Sequence, residues 1–67
     1  MTAREFSDLF KPFLPVRRIA TDAGFKEGTW YTAVSHGRNL TADELTRLRA
    51  AVEAHADELR TMAAVLA

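Results

Sequence analysis

Residues Val16–Arg38 read VRRIATDAGFKEGTWYTAVSHGR, and the order of small, turn-forming and apolar side chains in this stretch decides the fold. Ala20 and Gly24 stand four apart, flanked by Ile19 and Ala23. Phe25 follows the glycine, and Trp30, Ala33 and Val34 recur after it at helical spacing. The pattern predicts one helix from about Pro15 to Ala23, with Val16, Ile19, Ala20 and Ala23 inward and Arg17 and Arg18 outward. Proline suits the first helical position, where a missing N–H costs nothing. Ala20 is small enough for the next helix to cross closely, and Gly24 can take the positive φ that ends one helix and redirects the chain. The next helix begins at Glu27, or one turn later with Thr29 as its N-cap, and ends near Ser35 or His36, before Gly37. On a helical wheel Trp30, Ala33 and Val34 share one face. Gly28, Thr29, Thr32, Ser35 and His36 lie opposite, with Tyr31 at the edge.

Upstream, Thr2 and Glu5 have the spacing of a capping box. Phe6, Leu9, Phe10 and Phe13 then recur at i, i+3, i+4 and i+7, an apolar stripe for a first helix that Pro12 ends near Phe10 or Lys11. Phe13 and Leu14 are expected to plug the core from the connection. Downstream, Gly37-Arg38-Asn39-Leu40 reads as a loop and Thr41 as the cap of a last helix, with Glu44 in capping-box position. Leu40 and Leu45 form the matching hydrophobic staple. Leu45, Leu48, Val52, His55, Leu59, Met62 and Leu66 then alternate steps of three and four, a heptad seam. A helix over about residues 42–65 would be ~36 Å long, more than a small bundle can cover. Its second half is therefore expected to dimerise through Val52, His55, Leu59, Met62 and Leu66, with His55 a satisfied histidine on that seam.

The 67 residues make one domain, near the lower limit for a single core. There is no cysteine, and the two histidines, His36 and His55, are far apart, so neither disulfides nor a metal site is expected. Oligomerisation is the stabiliser that remains. No apolar run approaches the ~20 residues that span a bilayer, and no basic-then-apolar start suggests a signal peptide, so a cytoplasmic protein is expected. No serine–histidine pairing and no carboxylate cluster suggests an enzyme, a cofactor or a small-molecule substrate. The formal net charge is zero, whereas nucleic-acid-binding domains are more often basic. What positive excess exists lies in the first forty residues: Arg4, Lys11, Arg17, Arg18, Lys26 and Arg38 against Glu5, Asp8, Asp22 and Glu27.

Two short helices across a tight glycine turn are the arrangement that places one helix in a DNA groove. The stretch from Val16 to about Leu40 resembles the helix-turn-helix of small Cro/cI-type phage and bacterial repressors, in an organisation similar to anti-CRISPR-associated autoregulators. The resemblance rests on Ala20, on Gly24 four residues later, on Phe25 after it, on the apolar Trp30 and Ala33 of the second helix, and on the G-R loop before a capped helix. The chain departs from the family in having no glutamine and in the bulk of Trp30. The fold expected is all-α: a four-helix helix-turn-helix domain, motif about 16–36, with a long C-terminal dimerisation helix. The resemblance implies a homodimeric repressor that binds an inverted repeat in double-stranded DNA and autoregulates a phage-type operon. By the same carry-over, Lys26, Thr29 and Thr32 would meet base edges, Tyr31, Ser35 and His36 the flanking backbone, and Arg17, Arg18, Arg38 and Asn39 phosphates. Glu27 reads as favouring the helix N-terminus through the dipole. The rival reading is a small protein-interaction module, an antitoxin or a phage inhibitor of a host protein, that uses the long apolar helix.

Overall fold

The computed structural model describes residues 1–66, and in it Thr2 opens α1 (Ala3–Phe10) with the expected capping box. The Glu5 N–H donates to Thr2 Oγ1 at 3.0 Å while Glu5 Oε1 accepts from the Thr2 N–H at 2.9 Å. Ala3 and Phe6 are buried, and Phe10 packs on the same cluster. Leu9 and Phe13 do not join them: both are exposed, Phe13 by 79%. The physical reason is helical phase. Ala3, Phe6 and Phe10 centre the inward arc of a short helix, and Leu9 falls on its flank. Beyond Phe10 the phase is lost, because the Phe13 and Leu14 N–H groups both donate to the Phe10 carbonyl, at 2.9 and 2.8 Å. The chain turns there, so Leu14 packs inward and Phe13 points to solvent.

Pro15 is the N-cap of α2 (Val16–Asp22) rather than its first residue, so the helix starts one position later than expected, and Ala23 is its C-cap. Gly24 takes φ +97°, and the Phe25 N–H then reaches back to the Ala20 carbonyl at 3.0 Å. A long side chain from the last helix fastens this turn. Arg47 Nη1 donates to the Ala23 carbonyl at 3.1 Å, and the guanidinium lies 5.7 Å from the Phe25 ring centre.

Helix α3 (Glu27–His36) takes the earlier of the two possible starts, with Lys26 as N-cap, so Thr29 is an interior helical residue. Gly37 ends it in the left-handed region at φ +61°. Arg4 adds a second closure from α1, donating through Nε to the Val34 carbonyl at 3.1 Å and through Nη2 to the Ser35 carbonyl. The Ser35 carbonyl thereby gains a partner that the helix end would leave it without, and the Val34 carbonyl, which also accepts from the Gly37 N–H at 3.2 Å, gains a second.

Thr41 and Glu44 form the second capping box and open α4 (Ala42–Ala64), 23 residues or ~34 Å long. The helices pack α1 on α3, α2 on α3 and α2 on α4. Trp30 is the hub: its ring meets Phe6 edge-on at 5.9 Å and Phe25 at 5.0 Å. Ile19 and Leu48 are fully buried between α2 and α4. Each large side chain removed from water in this way contributes roughly 1.5–3 kcal/mol. The chain start closes the bundle. The Ala3 N–H donates to the Arg38 carbonyl at 2.8 Å and the Leu40 N–H to the Met1 carbonyl at 2.9 Å, bridging Thr2 to Asn39. Among the described residues the protein is all-α, with four helices and no strand.

Candidate nucleic-acid interface

Burial of Trp30 and Ala33 fixes which way α3 faces: Glu27, Gly28, Thr29, Tyr31, Thr32, Ser35 and His36 are left exposed. The flanking Arg17, Arg18, Lys26, Arg38 and Asn39 are exposed as well. All ten residues assigned to DNA contact on the sequence therefore reach solvent, but they do not form one patch. Lys26, Thr29, Thr32, His36 and Arg38 line a shallow depression on one flank of α3. Arg17, Arg18 and Tyr31 line a second, together with Lys11 at the end of α1 and Glu27. Gly28 borders both, and a Cβ there would meet nothing within 4 Å. Any rod-like ligand laid on α3 would find its closest backbone approach at this glycine.

The charges around this face are largely satisfied within the chain. Arg17 Nη2 donates to Glu27 Oε1 across the α2–α3 turn. Arg18 lies 3.8 Å from Asp22 and 3.3 Å from Glu58 of α4. Arg38 donates through both terminal nitrogens to Glu44, at 3.0 and 2.9 Å. That fork, with the Thr41 N–H, holds the Glu44 carboxyl down at about 2, while Glu44 raises the Arg38 guanidinium above its ordinary value. Arg38 thus ties the loop to the first turn of α4, a contact that sequence reasoning did not foresee. Lys26, Lys11 and Arg4 have no carboxylate within 4 Å among the described residues, and of these Arg4 is taken up by the Val34 and Ser35 carbonyls.

Glu27 and Lys11 are the surface residues that sequence reasoning missed. Arg17 and Glu27 are ten positions apart, a separation that no helical spacing rule links, and only the turn at Gly24 brings them together. The residues assigned to dimerisation also divide. Val52 packs against the chain's own core, and the His55 side chain is only 14% exposed, its Nδ1 4.0 Å from Glu58. Leu59, Met62 and Leu66 are exposed, joined by Val65. The apolar stripe without a cover thus begins at Leu59 rather than at Val52, about two turns later than expected. Among the described residues no His, Asp and Glu side chains gather in a group able to hold a metal ion, and no helix is long and apolar enough to cross a membrane. No known protein family, curated protein or solved structure matches the chain.

Proposed function

We propose that this protein is a sequence-specific DNA-binding repressor of the Cro/cI type, acting as a homodimer on an inverted repeat and autoregulating a phage-type operon. The observation that carries this reading is the outer face of α3. It runs the whole helix, is exposed throughout, and beyond the Arg17–Glu27 pair at its start presents hydroxyl and imidazole groups, with Lys26 at the N-cap and Gly28 open in the first turn. A helix of this length fits the major groove, where Lys26 can donate to guanine O6 or N7 and Thr29 and Thr32 can meet bases through hydroxyl or methyl. Tyr31, Ser35 and His36 lie along the same helix, within reach of sugar and phosphate, and Arg17, Arg18 and Asn39 flank it. Pairing of the exposed α4 ends at Leu59, Met62 and Leu66 would supply the second copy, presenting two such helices to successive major grooves ~34 Å apart.

The decisive experiment measures binding to the gene's own upstream duplex and to random duplex over a range of salt. Preferential binding of the upstream DNA, weakening as salt rises, is expected. Because most arginines are already paired with carboxylates, few phosphates are neutralised and the salt dependence should be shallow, log K falling by about 0.9 per phosphate contact. Absence of binding at low salt refutes the reading.

One observation favours a second reading, the protein-interaction module. Apart from Arg4, which donates to the Val34 and Ser35 carbonyls, every arginine sits within 4 Å of a carboxylate. Meanwhile Leu9, Phe13, Tyr31 and the end of α4 expose apolar surface. A partner protein recovered at stoichiometric ratio, together with no DNA binding, would establish that alternative.

A further inference from the structure

We propose that Glu27 is a base-reading residue that accepts a hydrogen bond from N4 of a cytosine, with Arg17 as the positioning residue that aims it. This rests on the DNA-binding reading above. Glu27 is the one carboxylate on the exposed face of α3, a face that would meet a polyanion. Left unused, a negative charge there lowers affinity for every sequence.

Its two ordinary explanations are weak. As a helix-starting residue Glu27 forms no side-chain cap, since the N-cap is Lys26; its charge suits the helix dipole, but any first-turn carboxylate would serve that, and it does not call for the Arg17 contact. As a surface ion pair it adds little stability, because its side chain is 74% exposed and that of Arg17 81% exposed. What the geometry does supply is presentation. Arg17 engages only Oε1, and Oε2 accepts no hydrogen bond from any described residue. One oxygen is thus held and the other is free.

The chemistry then narrows the base. In the major groove cytosine presents the N4 amino donor, adenine presents a donor beside an acceptor, and guanine and thymine offer acceptors on their polar edges. A carboxylate has only acceptors, so it suits cytosine and is repelled by guanine O6 and N7 and thymine O4. Arg17 offsets the charge as Glu27 enters the groove, and its remaining N–H groups can reach a neighbouring phosphate or guanine. Gly28 beside it lets the helix approach closely, because no side chain stands between its backbone and the groove floor.

The test selects binding duplexes from a randomised pool with wild-type protein, Glu27→Gln, Glu27→Ala and Arg17→Lys, after circular dichroism has shown each to be folded. Wild type should enrich a half-site with a fixed cytosine at one position, and changing that base pair to T·A should weaken binding about tenfold. Glu27→Gln should shift the preference at that position alone to adenine, whose N6 and N7 match an amide. Glu27→Ala should lose preference there. Arg17→Lys, which keeps the charge but not the fork, should keep cytosine with reduced discrimination. If wild type enriches a site whose every position is unchanged in Glu27→Gln and Glu27→Ala, Glu27 reads no base and DNA binding itself stands. A uniform gain in affinity for all duplexes in Glu27→Ala would mean that the carboxylate merely repels phosphate, and also overturns the proposal. Failure of wild type to bind any duplex overturns both readings together.

Discussion

Replacing Gly24 with alanine probes the joint on which the two-helix motif turns. Gly24 has φ +97°, and a Cβ there would lie 2.9 Å from Arg47 Nη1. Two costs follow. An L-residue held at positive φ loses about 1–2 kcal/mol. The Arg47 tip is flexible and can swing away, so the overlap itself is cheap, but swinging away gives up its hydrogen bond to the Ala23 carbonyl and its place beside the Phe25 ring. That adds about 1 kcal/mol for a half-exposed charged donor. Gly24→Ala should therefore lose about 2–3 kcal/mol, a large share of the roughly 3–10 kcal/mol expected for a chain of this length. In chemical or thermal unfolding that is a fall in melting temperature of about 10–20 °C. Repeating the substitution in an Arg47→Ala background removes the second cost, so there it should lose only about 1–2 kcal/mol. The difference is the coupling of a double-mutant cycle. An unchanged melting temperature for Gly24→Ala would refute the conformational argument. An equal loss in both backgrounds would refute the role given to Arg47.

The Glu44 carboxyl, held at about 2 against an ordinary 4.5, makes part of the stability depend on pH. Because the folded state favours its charged form, this contribution is complete above pH ~4.5 and fades as pH falls toward ~2, amounting to about 1–2 kcal/mol for a pair near the surface. The stability gap between wild type and Glu44→Gln, followed by urea unfolding, should be widest above pH 5 and close on acidification; a gap constant with pH would contradict the Arg38–Glu44 account. Phe13→Ser should change stability by less than about 0.5 kcal/mol, whereas Phe6→Ala should cost about 3–5 kcal/mol, so comparable losses would show Phe13 to be core. Leu59→Asp should leave a folded monomer in sedimentation, with a melting temperature independent of concentration. A stable dimer from that variant rules out pairing through the α4 end.

The local code was legible to within a residue or two. Both capping boxes, the glycines at the two helix ends, and the burial of Ile19, Ala20, Trp30 and Leu48 follow from near-neighbour rules: which backbone groups need partners, and which side chains share a helical face. Those rules hold only while the helix continues. They failed at Phe13, where the i+7 spacing was right but the helix had already turned at Phe10.

Charge at the candidate site was the least legible property, because pairs that join different elements, unlike the i,i+4 pairs within a helix, form where the fold brings side chains together and leave no periodic trace. Arg38 invited a phosphate by its place in the loop, yet Glu44 holds it. Arg17 was an outward cation until the turn at Gly24 laid Glu27 against it. The apolar seam of α4 was likewise visible as a period, but nothing in a period says where the protein's own core stops. That boundary lies near His55, since α2 is only seven residues long and covers no more of α4. Four helices, their ends and most of their inward faces were readable from the residues alone, since each follows from contacts within a turn or two of chain. Packing between helices alone set which charges pair across elements and how much of the last helix stays uncovered. Those are set by neighbours distant in sequence, through the way α1 meets α3 and α2 meets α4.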